Sequence, residues 1–327
     1  MAPVEHRTTP PGKTGQAYVL PCYTGELWTI PTSNSTMRLL VTGKETDNAF
    51  AIVGTGGTYD KPIGFHYHKE AHDVFLCIQG KLNVWANDKA RSLLPGDFAS
   101  VPPGTIHQYQ VDSHHTEFIG LIIPGGWEEF FRFIGEPYAG PLFPTNDKRN
   151  PFEVLIPKLM AATEKFDMIP VKEKEQFDPQ PWDGSESALP GKCEIGGYYL
   201  KAGKGEKWVV GGTVVRALAR REETRGKFSI YEVEASAVHA GKGLVKALRF
   251  QETHHAGFGG CWRGTKWSFG AKSAYARAYV FANGGGLGEV LTKVGVKYEE
   301  VVVPNEVGNW GESKVQTLAE ELKFTVV

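Results

Sequence analysis

The chain has 327 residues, 41% of them hydrophobic and 22% charged, and a formal net charge of -1. That length accommodates two domains of ordinary size, and so even a charge balance argues against a general nucleic-acid binder or a surface polyelectrolyte. The partners to expect are small molecules and other copies of the chain, a homodimer included.

The first sixteen residues, MAPVEHRTTPPGKTGQ, form a polar, proline-bearing arm without the apolar core of a secretory signal. The longest apolar run, FIGLII at 118–123, falls far short of the ~20 residues a membrane-spanning helix requires. A cytoplasmic protein is the expectation, with no membrane and no nucleic acid among its partners. Cys22, Cys77, Cys193 and Cys261 form no CxxC pair, which fits reduced thiols better than a disulfide or zinc framework. Asn34-Ser35-Thr36 is a glycosylation sequon, relevant only to a secreted chain.

Residues 17–125 read as short segments rich in Val, Ile, Phe, Tyr and Leu, broken by turn signals such as TGKETDN, VGTGGTYDKP and PPGT. That spacing predicts an all-β barrel or sandwich. From GGWEEFFRFIGEP to FEVLIPKLMAATEKF the apolar residues move to helical spacing, and PVKEKEQFDPQPWDGSES at 170–187 has the composition of a linker. After it the first half returns in weaker form. GELW at 25–28 recurs as GEKW at 205–208, and GKETDNAFAIV at 43–53 has a counterpart in REETRGKFSIY at 221–231, both roughly 180 positions on. The stretch 107–138 then matches 266–298 at an offset of about 160, so roughly twenty residues are missing from the second copy. Aligning His72 to Phe75 with His254 to about Phe258, and Gly104-Thr105 with Gly264-Thr265, places the gap. It removes two or three strands and predicts an incomplete or rebuilt second barrel.

The stretch GFHYHKEAHDVFLCIQG at 64–80 puts three histidines and an aspartate within eight positions. His66 and His68, at i and i+2, share a face on a strand and can look into a barrel, where imidazoles suit Cu, Fe, Ni, Mn or Zn. Alone, the pair reads equally well as two half-exposed strand histidines. The downstream residues decide between these. Asp73, Gly80, Gly96, Pro102, Gly104 and His107 complete a pattern that resembles the two signature motifs of the cupin superfamily, G-x5-HxH-x4-E-x6-G and G-x5-PxG-x2-H-x3-N. Asp60 and Val111 depart from the motif at turn and rim positions, and Asp73 replaces its glutamate.

The resemblance implies an all-β fold, a duplicated cupin (jelly-roll β-barrel) with short helices and a linker, whose second barrel is incomplete. The domains expected are residues 1–145, a metal-binding cupin; 146–204, a helical segment and linker; and 205–327, a degenerate cupin without a metal site. In the second copy Leu248 and Phe250 fall about where His66 and His68 would repeat, and Trp267 falls on His107; His254 and His255 alone do not make a site. The metal ligands implied are His66, His68, His107 and Asp73. Aspartate is one methylene shorter than glutamate, which leaves two roles open for Asp73: ligand, or catalytic base beside the metal. His72, next to it, is a competing fourth ligand; on a strand only one of the two can point inward, and with Asp73 facing in, His72 should lie at the rim or in solvent. Glu70, His114 and His115 read as surface residues. Phe65, Tyr67, Phe75, Trp85, Phe98, Tyr109 and Phe118 are candidates for the pocket wall, with Phe75, Tyr109 and Phe118 placed against substrate; core packing explains most of the set equally well.

Within the superfamily the chain resembles the fungal quercetin 2,3-dioxygenase-like bicupins, on HYHKEAHDVFLCIQGKLNVW, GDFASVPPGTIHQYQ and PGGWEEFFRFIGEP. That resemblance implies a metal-dependent dioxygenase that opens the central ring of a flavonol with O2, releasing carbon monoxide and a depside. It implies one divalent transition metal, copper by the fungal members, with Fe, Mn, Ni or Co left open by the ligand types. The partners implied are a small aromatic substrate and dioxygen. Three rivals stand beside it: a related bicupin tailoring another aromatic or polyketide metabolite, a non-catalytic pirin-like binding cupin, and a splice or gene-model variant of an active enzyme.

Overall fold

The computed structural model describes residues 5–194, 196–239, 274–300 and 302–304, the backbone of 250–252 and 265–267, and positions 314, 317 and 318. Among them a short parallel pair, β1 (Glu5–His6) and β2 (Tyr18–Val19), leads into two facing sheets. The larger sheet is built from β3 (Glu26–Thr29), β4 (Ser35–Val41), β5 (Ala51–Gly57), β7 (His72–Gln79), β10 (Phe98–Val101), β12 (Thr116–Ile123), β13 (Glu136–Pro137) and β15 (Tyr198–Leu200), in the order β13-β3-β4-β5-β12-β7-β10-β15. The smaller contains β6 (His66–Tyr67), β8 (Leu82–Ala86), β9 (Lys89–Leu93), β11 (His107–Val111) and β14 (Ile169–Pro170), in the order β14-β6-β11-β8-β9.

Alternation along these strands sorts the side chains between two faces. Phe75, Cys77, Leu82, Val84, Val111 and Phe118 point between the sheets and form one core. Val74, Leu76, Phe98, Leu121 and Leu200 point out of the larger sheet into a second core. The motif glycines earn their places at the turns. Gly80 reverses the chain between β7 and β8 at φ 73°, where a β-carbon would collide with the His115 carbonyl. Gly104 turns at φ 82° and donates its N–H to the His68 carbonyl at 2.7 Å, which ties the two motifs together. Asp60, in the place of a motif glycine, uses its carboxylate to accept the Asn34 N–H at 2.9 Å.

The helical spacing after residue 125 becomes α2 (Glu129–Ile134), α3 (Pro151–Val154) and α4 (Ile156–Ala162); an earlier turn, α1 (Gly43–Thr46), sits between β4 and β5. The stretch 170–187 does not hang free as its composition suggests. It straps the outer face of the smaller sheet, where Phe177 and Val171 pack on Phe65 and Trp85. The Trp85 indole donates to the Phe177 carbonyl at 2.7 Å, and the Arg91 guanidinium reaches Glu186 at 2.6 Å and Asp183 at 3.0 Å. Two isolated apolar contacts and scattered polar and main-chain bonds hold it, so no apolar periodicity marks it in the sequence.

The second half repeats the first. β16 (Lys207–Val210), β17 (Thr213–Ala219), β18 (Phe228–Ala235), β21 (Ala276–Asn283) and β22 (Val296–Lys297) stand in the order β21-β18-β17-β16-β22, the same path as β12-β5-β4-β3-β13. A helix, α5 (Gly286–Val294), occupies the place of α2. The details recur as well. Thr42 N–H donates to Glu45 and Thr46 Oγ1 to the Phe50 carbonyl in one copy, as Arg220 N–H to Glu223 and Thr224 Oγ1 to the Phe228 carbonyl in the other. The fall in offset is visible in the pairing, since Trp28 lies opposite Pro137 and Trp208 opposite Lys297. Between β18 and β21 the described residues form a short 3-10 turn at Ala237–His239 and the antiparallel pair β19 (Phe250–Glu252) and β20 (Thr265–Trp267), with Phe250 opposite Trp267. The expected gap itself, with Leu248, His254, His255, Gly257, Phe258 and Gly264, lies outside the described residues, as does Cys261. Cys22, Cys77 and Cys193 are free.

The two halves meet back to back. Leu218, Ala219, Phe228, Ile230 and Phe281 join the outward residues of the larger sheet in one core. Buried Arg216, paired with Glu232 at 3.0 Å, also donates to the Gly96 carbonyl across the junction at 3.3 Å.

Candidate metal centre

Between the two sheets β11 lies beside β6, with His107 directly opposite His66; His68 follows β6 at once, and β7 runs in the facing sheet. The three imidazoles converge, with ring centroids 4.4 Å apart for His66 and His107, 5.1 Å for His66 and His68, and 5.2 Å for His68 and His107. One ring nitrogen from each falls in a group spanning no more than 4.8 Å, and all three residues are buried.

Their orientation is fixed from behind. Nδ1 of His66 bonds the Gly64 carbonyl at 2.9 Å, Nδ1 of His107 the Thr105 carbonyl at 2.9 Å, and Nδ1 of His68 the Asp167 carbonyl. A carbonyl only accepts, so each Nδ1 carries the proton and each neutral ring offers its Nε2 lone pair inward. Asp73, facing in from β7, brings Oδ2 to 3.3 Å from Nε2 of His68 and 3.2 Å from Nε2 of His107. The shorter carboxylate therefore reaches the imidazoles. Nε2 of His68 is buried without a hydrogen-bond partner. The ring nitrogens and the carboxylate face one another in a desolvated space, where a shared proton or a metal ion relieves them, and this donor set of three imidazoles and a carboxylate fits a transition metal.

The titration pattern follows from the crowding. Burial, then the neighbouring rings of His107 and His68, push His66 down to about 3. Burial also works against charge on His68, but the Asp73 carboxylate and the Asp167 oxygens outweigh it and raise that ring above its usual range. For Asp73 burial opposes ionisation, and the His68 and His107 rings overcome it, holding the carboxyl well below the usual range.

Phe75, Tyr109 and Phe118 come together beside this group: ring centroids are 5.7 Å apart for Phe75 and Tyr109, 5.1 Å for Tyr109 and Phe118, and 6.3 Å for Phe75 and His107. The rest of the aromatic set divides. Phe65 and Trp85 lie on the outer face of the smaller sheet and Phe98 in the core between the halves. His72 does face away from Asp73, but it is not a rim or solvent residue. It is 2% exposed, its Nε2 lies 2.8 Å from Ser100 Oγ, and its ring meets Phe228 of the second half edge-on at 4.9 Å. Burial pushes it down to about 4.

Asp167 is the residue sequence reading missed. Besides holding His68 through its carbonyl, its carboxylate accepts the N–H groups of Lys69, Glu70 and Ala71 at 2.8, 2.7 and 3.2 Å, and the Trp127 indole donates to its carbonyl at 3.3 Å. Trp127 also packs edge-on against His68 at 4.9 Å. Asp167 is 99 positions from His68, and no motif spacing points to it.

Residues 55–121 match the family model for the cupin domain. The N-terminal half contains a cupin domain. The chain is 35% identical over 130 residues to the quercetin 2,3-dioxygenase of Bacillus subtilis (strain 168), an alignment covering 40% of this chain and 39% of that protein. It is 33% identical over 105 residues to the quercetin 2,3-dioxygenase of Aspergillus japonicus, covering 30% of each. The matches thus span between about a third and two fifths of these relatives, and they come from a bacterium as well as a fungus, which favours no fungal origin. Oxalate decarboxylase from Bacillus subtilis aligns over 84% of this chain and 75% of its own, at 13% identity and a TM-score of 0.39. Beyond the cupin domain the structure is a β-rich duplication with few short helices, and its sheets are not closed barrels. Among the described residues no helix is long and apolar enough to cross a membrane.

Proposed function

We propose that the chain is a metal-dependent dioxygenase acting on a flavonol-type aromatic substrate, with carbon monoxide and a depside ester as products. The observation that carries this reading is the convergence of three buried imidazoles, each with its Nδ1 engaged by a carbonyl, on a carboxylate beside an aromatic cluster. His66, His68, His107 and Asp73 would hold the metal, copper by resemblance, with Fe, Mn, Ni and Co admitted by the same donors. When bound it supplies Lewis-acid activation of an enol hydroxyl and a redox partner for O2.

The protein's own residues do the rest. Phe75, Tyr109 and Phe118 sandwich a flat substrate and keep water from it. Asp73 accepts the hydroxyl proton at Oδ2. Because its neighbours hold it firmly ionised it is a weak base, so the transfer demands a hydroxyl already made acidic. Along the chain, residues 1–145 are the metal-binding cupin of this reading, 146–204 a helical segment and linker, and 205–327 a degenerate cupin without a metal site. Aspartate in place of the motif glutamate favours, as a second reading, a bicupin that tailors a different aromatic metabolite. Oxygen uptake and carbon monoxide release on quercetin, measured with metal content, separate the two. Metal-loaded protein inert on flavonols would refute the first.

A further inference from the structure

Inside the larger sheet the apolar side chains form two separate clusters. Phe75, Phe118, Cys77 and Tyr109 belong to one, and Val53, Ile122, Met37 and Trp127 to the other. The register shows what lies between them. On β12, Gly120 is opposite Phe75 and, on its other side, opposite Val53, while Ile122 is opposite Asp73. Residues directly opposite share a face, so Gly120 is on the inner face, diagonal to Asp73 and about 7–8 Å from it. Gly120 is half-buried although it sits in an interior strand among buried neighbours. A β-carbon there would meet nothing closer than the Val74 carbonyl at 3.6 Å and the Val53 carbonyl at 3.7 Å, and no side-chain atom lies within 4 Å of it. Asp73 keeps 15% of its side-chain surface exposed although its strand, β7, is interior to the sheet.

We infer that Gly120 is a specificity-determining residue: its missing side chain, in the gap between two apolar clusters beside Asp73, makes the room that receives an aromatic ring of the substrate. The inference rests on the proposed flavonol reading and adds where the ring beyond the chelating hydroxyl and carbonyl goes. The glycine is not required by its backbone, because its φ is not positive. It is required by volume.

The test is anaerobic equilibrium binding to metal-loaded protein, with quercetin and with maltol, which carries the same 3-hydroxy-4-carbonyl pair on a single ring. In Gly120→Leu, metal content and maltol affinity should match wild type, and quercetin affinity should fall about 10- to 100-fold, the worth of burying one aromatic ring. Gly120→Ala, whose β-carbon makes only ordinary contacts, should fold normally and show the same selectivity at smaller amplitude, and it carries the test if the leucine variant does not fold. Wild-type quercetin affinity in Gly120→Leu, or equal loss of both ligands, would overturn the assignment and leave the flavonol reading standing. A wild-type protein that bound neither would overturn that reading, and this one with it.

Discussion

Replacing Asp167 by alanine removes the carboxylate that gathers the N–H groups of Lys69, Glu70 and Ala71, the loop that follows His68. Lys69 and Glu70 are exposed, so water takes over most of those two bonds. Ala71 is 3% exposed, and its N–H is left without an acceptor in a place water does not easily enter. An unsatisfied buried donor costs about 1–3 kcal/mol. Without metal the loop can relax to recover part of this; binding demands that His68 return, so the cost falls on the loaded state. At about 2 kcal/mol the metal affinity should drop ~30-fold, within the range for residues that orient metal ligands. Competition against a chromogenic chelator measures it directly, and thermal unfolding of the metal-free variant shows whether the fold itself has weakened. Asp167→Asn, which retains one acceptor oxygen, should lie between. If Asp167→Ala bound metal as tightly as wild type, the loop would be ordered by something else and the bracing role would be wrong.

Other outcomes follow from the same geometry. His107→Ala should lose both metal and oxygen uptake, and chelator-stripped wild type should regain activity on reloading. Asp73→Asn should keep the fold, weaken the metal about 10- to 100-fold, and lose a further ~100-fold or more in turnover where the carboxylate serves as base. Metal affinity should fall as pH drops, by about tenfold per unit below the raised His68 titration, because the metal must displace that proton; His66, held near 3, contributes none of this slope. His72 is neutral in the fold and titrates near 4 against 6.5 for a free histidine, so the unfolded chain binds the extra proton between those values. Stability should therefore decline by about 3 kcal/mol as pH falls from 6.5 towards 4, and His72→Leu should flatten that part of the unfolding profile.

What the sequence made legible was local. Strand parity put His66 and His68 on one face, and only the resemblance to the cupin motifs joined His107 and Asp73 to them; the four side chains do lie together in the fold. His72 was placed on the correct side of its strand but given to solvent, because nothing local announces that Phe228, from the other half, covers it. Phe65 and Trp85 have the composition of a pocket wall and lie on the outside, hidden by a strap whose polar bonds leave no periodic trace. The repeat was readable because Thr46 and Thr224, and Glu45 and Glu223, do the same work in both copies. Asp167 was not, since its partners are main-chain groups that any residue would supply.

The junction between the halves has a consequence for evolution and for engineering. The back of the strand that bears Asp73 is kept dry by Leu218, Phe228, Ile230 and Phe281 of the second half. Cutting the chain after residue 204 would leave Val74, Leu76, Phe98, Leu121 and Leu200 facing water on the reverse of the sheet that bears Asp73. A one-barrel descendant would have to turn those positions polar first. Until it did, the second half would have to keep the sheet that seals its neighbour, whatever else it lost.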